Sequence, residues 1–278
     1  MMKLCIRAHD LGVKNEDAII EKLDAYGLDG VQLVAYKCLG GITYTPGSVT
    51  AERAEAFRAK MSAAGKTVPL IGAYFNPVHP DAQKIDNGIA VFKDYLRLAQ
   101  SFGGGIVGSE TGSYNGDKWI YHPMNRTEEA YGRVERVFAE LCAYAQECGV
   151  QVGMEGAFGH VCWNVQTLDR VVKRIGADNI RIIFDLYNYL DASNVGRMYD
   201  ILQEGLQAFG DRICVFHIKD CSVQEDGSLK QCSVGQGIFD YARIIPEIRK
   251  VCPDALLVLE GTAGTDIAPA AEHLRKYI

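Results

Sequence analysis

Four apolar runs in the second half of the chain each end in a side chain able to bind a cation or carry a proton. They are Gln151-Val152-Gly153-Met154-Glu155, Arg181-Ile182-Ile183-Phe184-Asp185, Ile213-Cys214-Val215-Phe216-His217 and Leu256-Leu257-Val258-Leu259-Glu260. A short apolar run that stops at one polar residue has the pattern of a buried parallel strand, which delivers that residue to the rim of a sheet. Three carboxylates and one imidazole form a donor set for a hard or borderline divalent ion, Mn²⁺ first and then Mg²⁺, Co²⁺ or Zn²⁺. An acidic residue at a strand end can also do no more than cap the next turn or helix. The chemistry therefore depends on whether the four side chains meet.

The remaining elements say how they would. Further strands are expected near residues 3–8, 31–34, 68–73 and 105–109, and helices near 16–26, 51–64, 81–102, 126–148, 165–175, 196–208, 239–250 and 266–277. Thr50 reads as an N-cap and Gly65 as a helix stop. Eight strand and helix pairs follow one another with no linker or low-complexity break, which predicts an α/β fold, a single-domain (β/α)₈ barrel over residues 1–278. No Gly-x-Gly-x-x-Gly follows the first strand, which weighs against an open dinucleotide-binding sheet. In a barrel all strands point their C-terminal ends at one face, and residues of alternate parity point inward. Glu155, Asp185, His217 and Glu260 would then converge on one pocket.

Composition narrows the partners. Of 278 residues, 48% are hydrophobic and 23% charged, as in soluble globular proteins. A net charge of −6 offers no general attraction for nucleic acid or anionic lipid. The nine cysteines are scattered without a Cys-x-x-Cys pair, as expected of reduced thiols. With no apolar signal core and no stretch of transmembrane length, the expected location is cytoplasmic.

Other residues are candidates for substrate contact. His160 follows Glu155 on the same loop, Lys219 shares the parity of His217, and Glu110 and His9 stand at the ends of strands four and one. The segment 110–124, rich in Gly, Ser, Tyr and Asn, reads as a functional or mobile loop. Trp119, Tyr114 and Trp163 would suit an apolar wall for a ligand ring or would pack the loops. Glycines 235, 237, 261 and 264 fall where barrels commonly hold phosphate, although turn glycines are the commoner reading.

The order Glu155, Asp185 with Asn188, then His217-Ile218-Lys219-Asp220, a Gly235-Gln236-Gly237 turn and Glu260-Gly261 resembles the xylose isomerase-like superfamily of sugar isomerases and epimerases. The resemblance covers essentially the whole chain. It implies a divalent metal held by Glu155, Asp185, His217 and Glu260, with Glu155 and Glu260 doubling as acid and base. Moving a proton next to a carbonyl requires such a pair together with an electrophile for the developing enediolate oxygen. Two positions depart from the superfamily's free-ketose 3-epimerases. Those typically carry His three residues after the strand-six Asp and Arg shortly after the strand-seven His, where this chain has Asn188 and no Arg between Cys221 and Asp226. This argues against a D-psicose or D-tagatose type of epimerase.

The expectation is thus a metal-dependent isomerase or epimerase of a small sugar or polyol-ketone, forming a homo-oligomer such as a dimer or tetramer. The alternatives are a dehydratase of the inosose or dehydroshikimate type and, in another class, a barrel that binds metal and ligand without turnover. An apurinic endonuclease would want more histidines than six and a basic surface.

Overall fold

Alternating strands and helices close into one ring. In the computed structural model, which describes residues 2–278, the strands are β1 (Lys3–Arg7), β2 (Gly30–Leu33), β3 (Thr67–Gly72), β4 (Ile106–Glu110), β5 (Gln151–Glu155), β6 (Ile180–Asp185), β7 (Ile213–Ile218), β8 (Asp220–Val223), β9 (Leu229–Cys232) and β10 (Leu256–Leu259). β1 to β7 and β10 form a closed parallel barrel in which β10 pairs with β7 on one side and β1 on the other. β8 and β9 form a separate antiparallel hairpin at the end of β7. The sequence does not signal that hairpin, because Leu229-Lys230-Gln231-Cys232 lacks clean apolar alternation.

Around the barrel lie α1 (Glu16–Tyr26), the short α2 (Ala35–Cys38), α3 (Ala51–Ala63), α4 (Ala82–Leu98), α5 (Glu128–Glu147), α6 (Val165–Ile175), α7 (Met198–Phe209), α8 (Tyr241–Val251) and α9 (Ile267–Arg275). Most begin at a side chain that accepts an otherwise unpaired backbone N–H: Asn15, Thr50, Asp81, Thr127, Asn164 and Asp240. α4 stops earlier than its apolar pattern predicts, since the chain continues through turns to Gly103 with a positive φ. α5 starts later than predicted, because Thr127 caps it and Pro123–Arg126 form their own short turn.

The core has two compartments. Most buried apolar side chains lie between barrel and helices, while Cys5, Leu70, Ile183, Val215 and Val258 fill the barrel itself. Gly108 and Gly153 are paired neighbours in β4 and β5, and both adjoin the end of Ile183. A Cβ on Gly108 would stand 2.5 Å from Ile183 Cδ1, so these glycines are required by volume. Two residues beyond the inner layer, with the same inward parity, come Arg7, Glu110, Glu155, Asp185, His217 and Glu260. The site is the next layer of the barrel.

Gly108→Ala should destabilise the protein by about 1–3 kcal/mol through overpacking. Ile183→Val, which removes the contacting methyl, should restore part of that loss in the double variant. Urea unfolding of the two single variants and the double variant measures the coupling. Simple additivity would show that the two residues do not share that space.

Candidate active site and metal centre

β5 and β6 end on Glu155 and Asp185, β7 ends one residue past His217, and Glu260 lies just past β10. The Glu260 N–H still donates to Ile218 O at 3.1 Å, which extends the ladder. One ligand atom from each of the four residues lies within 4.8 Å of all the others. Glu155, Asp185 and His217 are buried, and the Glu260 side chain is 12% exposed at the floor of a cavity of about 340 Å³. Glu155 and Glu260 line that cavity with Arg7, Tyr74, Glu110 and Trp119.

His217 presents one nitrogen to the acids. Its Nε2 is 2.6 Å from Gln32 Oε1, and the Gln32 amide nitrogen donates to the Tyr74 hydroxyl at 2.8 Å, which fixes the amide's direction. Nε2 therefore keeps a proton in either charge state, and Nδ1 faces Glu260 Oε2 at 2.8 Å, Glu155 Oε1 at 3.2 Å and Asp185 Oδ2 at 3.8 Å. A histidine oriented through its far nitrogen is the arrangement of a metal ligand. Asp185 Oδ2 and Glu260 Oε2 are buried oxygens that accept no well-directed hydrogen bond. These donors fit a divalent cation.

Within the protein, three basic groups balance the carboxylates. Lys219 Nζ lies 2.8 Å from Asp185 Oδ2 and 2.9 Å from Glu260 Oε1. Arg7 reaches Glu260 Oε1 at 2.7 Å and pairs with Asp10. Burial opposes charge on His217, but Glu260 and Glu155 outweigh it and raise the imidazole to about 10. Burial likewise pushes Glu260 up, yet Lys219, His217 and Arg7 together hold it well below the usual carboxylate range. Asp185 rises to about 6, chiefly through burial.

Asn188 links the set. Its N–H donates to Asp185 Oδ1, its amide nitrogen donates to Glu155 Oε1 at 2.8 Å, and its amide oxygen accepts from Lys219 at 3.0 Å. Glu110 and His9 line the cavity. His9 sits in the turn after β1 instead of ending the strand, and burial beside Arg7 lowers it to about 4. His160 is not on the lining. It is buried with its ring centroid 5.4 Å from that of Trp119, and burial lowers it to about 4. Trp163 packs on Arg126, and Tyr114 stacks near His122.

Three of the four candidate glycines, Gly235, Gly237 and Gly261, spend their N–H groups on carboxylates of the protein itself. The N–H groups of Gly235, Gly237 and Phe239 all donate to the buried Asp220 carboxylate, and that of Gly261 donates to Asp10. Arg7, Gln32 and Tyr74 were not singled out in the sequence. Arg7 and Gln32 could have been found as polar residues of inward parity within otherwise apolar runs. The segment 110–124 is tightly braced. Asn76 binds Ser113 and Gly116, and buried Asn125 binds Tyr114 and Gly159.

The fold is a TIM barrel with its polar cluster at the C-terminal rim, where barrels of this class carry their sites. The chain belongs to the xylose isomerase-like TIM barrel family, whose model matches residues 20–277. No curated protein matches it by sequence. Its fold is similar to that of 3-keto-D-glucoside 4-epimerase YcjR from E. coli, with a TM-score of 0.76, 16% identity and coverage of 100% of this chain and 99% of that one. A xylose isomerase-like TIM barrel protein from Mycobacterium smegmatis in complex with magnesium gives 0.73 at 16% identity, covering 99% and 94%. The IolI protein with a bound zinc atom gives 0.74 at 16% identity, covering 99% and 96%. Among the described residues no helix is long and apolar enough to cross a membrane.

Burial, then Glu155, raises Glu110 from 4.5 to about 8. The folded protein thus keeps a proton that the unfolded chain releases. The associated stability is present in acid and is lost as pH rises from the ordinary carboxyl range through about 8. In metal-free protein, Glu110→Gln should raise the melting temperature relative to the parent by clearly more at pH 9 than at pH 6. Calorimetry at both pH values checks this, and an equal shift at each would contradict it.

Proposed function

We propose that the protein is a divalent-metal-dependent isomerase or epimerase of a carbohydrate, moving a proton on the carbon next to a carbonyl. The observation that carries this reading is that Glu155 and Glu260 line one cavity from different strands, with Asp185 and His217 joined to them in a single cluster. Glu155, Asp185, His217 and Glu260 hold the ion, with Mn²⁺ favoured; magnesium and zinc in the two similar structures support a divalent metal. Bound there, it stabilises charge on the substrate oxygen next to the reacting carbon.

The protein's own side chains do the proton transfer. Glu155 and Glu260 remove and return the proton through an enediolate, and the face of the carbon presented sets which one abstracts. Asn188 orients Glu155, while Arg7 and Lys219 orient Glu260. Tyr74 and Trp119 wall the cavity and exclude water. The N–H groups of Gly235, Gly237 and Gly261 are already taken by carboxylates, which favours an unphosphorylated sugar or polyol-ketone. Nine unpaired thiols support a reducing compartment such as the cytoplasm.

Purified protein should contain stoichiometric divalent metal, and Asp185→Asn should lose most of it in elemental analysis. With Mn²⁺ in D₂O, a ketose, aldose and inosose screen followed by NMR should show deuterium entering one carbon. Glu155→Gln and Glu260→Gln should each slow that exchange by about 10²–10⁴-fold. A product lighter by one water would reassign the protein as a dehydratase. Metal and sugar binding without exchange would make it a binding barrel.

A further inference from the structure

A second cavity of about 440 Å³ adjoins the one over the carboxylates, and the two share Tyr74 and Trp119. Each alone has the size of a small-ligand site. Together they exceed what a single sugar ring needs.

The second cavity has its own chemistry. Its walls include the rings of Tyr44, Phe75 and Trp119 and the side-chain amides of Gln83 and Asn87 on α4. The buried Tyr44 hydroxyl has no hydrogen-bond partner among the described residues. The one lysine there, Lys84, is paired with Asp117 at 2.5 Å, and Asp81 adds a further carboxylate. His79 accepts the Asp81 N–H on Nδ1, and its Nε2, 3.3 Å from Asp117, is too poorly aligned to hydrogen-bond it. With no unpaired cation, this lining repels phosphate or carboxylate. Aromatic faces beside amides and hydroxyls match the apolar face and hydroxyl edge of a neutral sugar ring.

Trp119 stands between the two spaces under constraint. Among the described residues it is the one non-glycine with positive φ, 54°, a conformation that persists only where its surroundings enforce it. His160 packs on its ring, and Asn76 and Asn125 brace the segment around it. A rigid indole is thereby held at the junction.

Resting on the carbohydrate reading above, we infer that the substrate is a two-ring glycoside. Its carbonyl-bearing unit lies over Glu155 and Glu260, and an uncharged glycosyl unit occupies the second cavity against Trp119.

The test compares D-fructose with the ketose disaccharides lactulose, turanose and isomaltulose, using deuterium exchange and titration calorimetry on the Mn²⁺-loaded protein. At least one disaccharide should exceed fructose in kcat/KM by about tenfold or more, mainly through KM. Asn87→Trp, which fills the second cavity, should reduce that ratio to near one. Asn87→Leu, a smaller change that guards against misfolding, should lower it in part. Equal or better use of fructose, or a preference that survives both variants, overturns the inference while leaving the proton-transfer reading intact. If none of these ketoses exchanges deuterium, calorimetry decides the inference alone. Tighter disaccharide binding that Asn87→Trp removes upholds it, and binding no tighter than that of fructose refutes it.

Discussion

The structure depends on balancing carboxylates that water barely reaches. Glu155 and Asp185 are fully buried and Glu260 nearly so, and a buried charge without a partner is among the costliest features a fold can carry. The partners come from strands remote in sequence and adjacent in the ring. Arg7 on β1 meets Glu260, 253 positions away, because β10 pairs with β1. Lys219, just past β7, reaches Asp185 at the end of β6 and Glu260 just past β10. Closing the barrel and neutralising the site are therefore one event, and removing either Arg7 or Lys219 would leave a charge stranded where the ring is sealed.

Around that balance runs a second tier that sets direction more than charge. Gln32 fixes the tautomer of His217, and Tyr74 fixes Gln32. Asn188 ties Glu155, Asp185 and Lys219 through one amide. A carboxylate reused for proton transfer has to be held at a defined angle, and three uncharged side chains supply that without adding to the field.

Much of this was legible in the chain. Strand periodicity and the absence of linkers specified the barrel, and the polar ends of four apolar runs singled out Glu155, Asp185, His217 and Glu260 as a set. Arg7 and Gln32 escaped because one polar residue in a short strand looks like noise until its partner, more than 180 positions away, is known. The glycines near 235 suggested an anion cradle. Which acceptor their N–H groups would meet is a tertiary fact, and Asp220 had already taken them. His160 lies against the Trp119 ring and off the cavity lining, a placement not readable in the chain, since sequence puts a residue on a segment but not on one side of it.

Asp220 carries a further consequence. It sits at the root of the long connection between β7 and α8, and its carboxylate gathers the N–H groups of Gly235, Gly237 and Phe239 from the far end. A Cβ at position 237 would collide with that carboxylate, so only glycine lets the two ends approach. The connection is thereby divided in two: a hairpin that closes on itself and a short return pinned to the barrel. Because the entropy of closing a loop is set by the span left free, this excursion costs the fold little more than a tight turn. The tip of the hairpin, between β8 and β9, can then vary in length without disturbing the strand that carries His217.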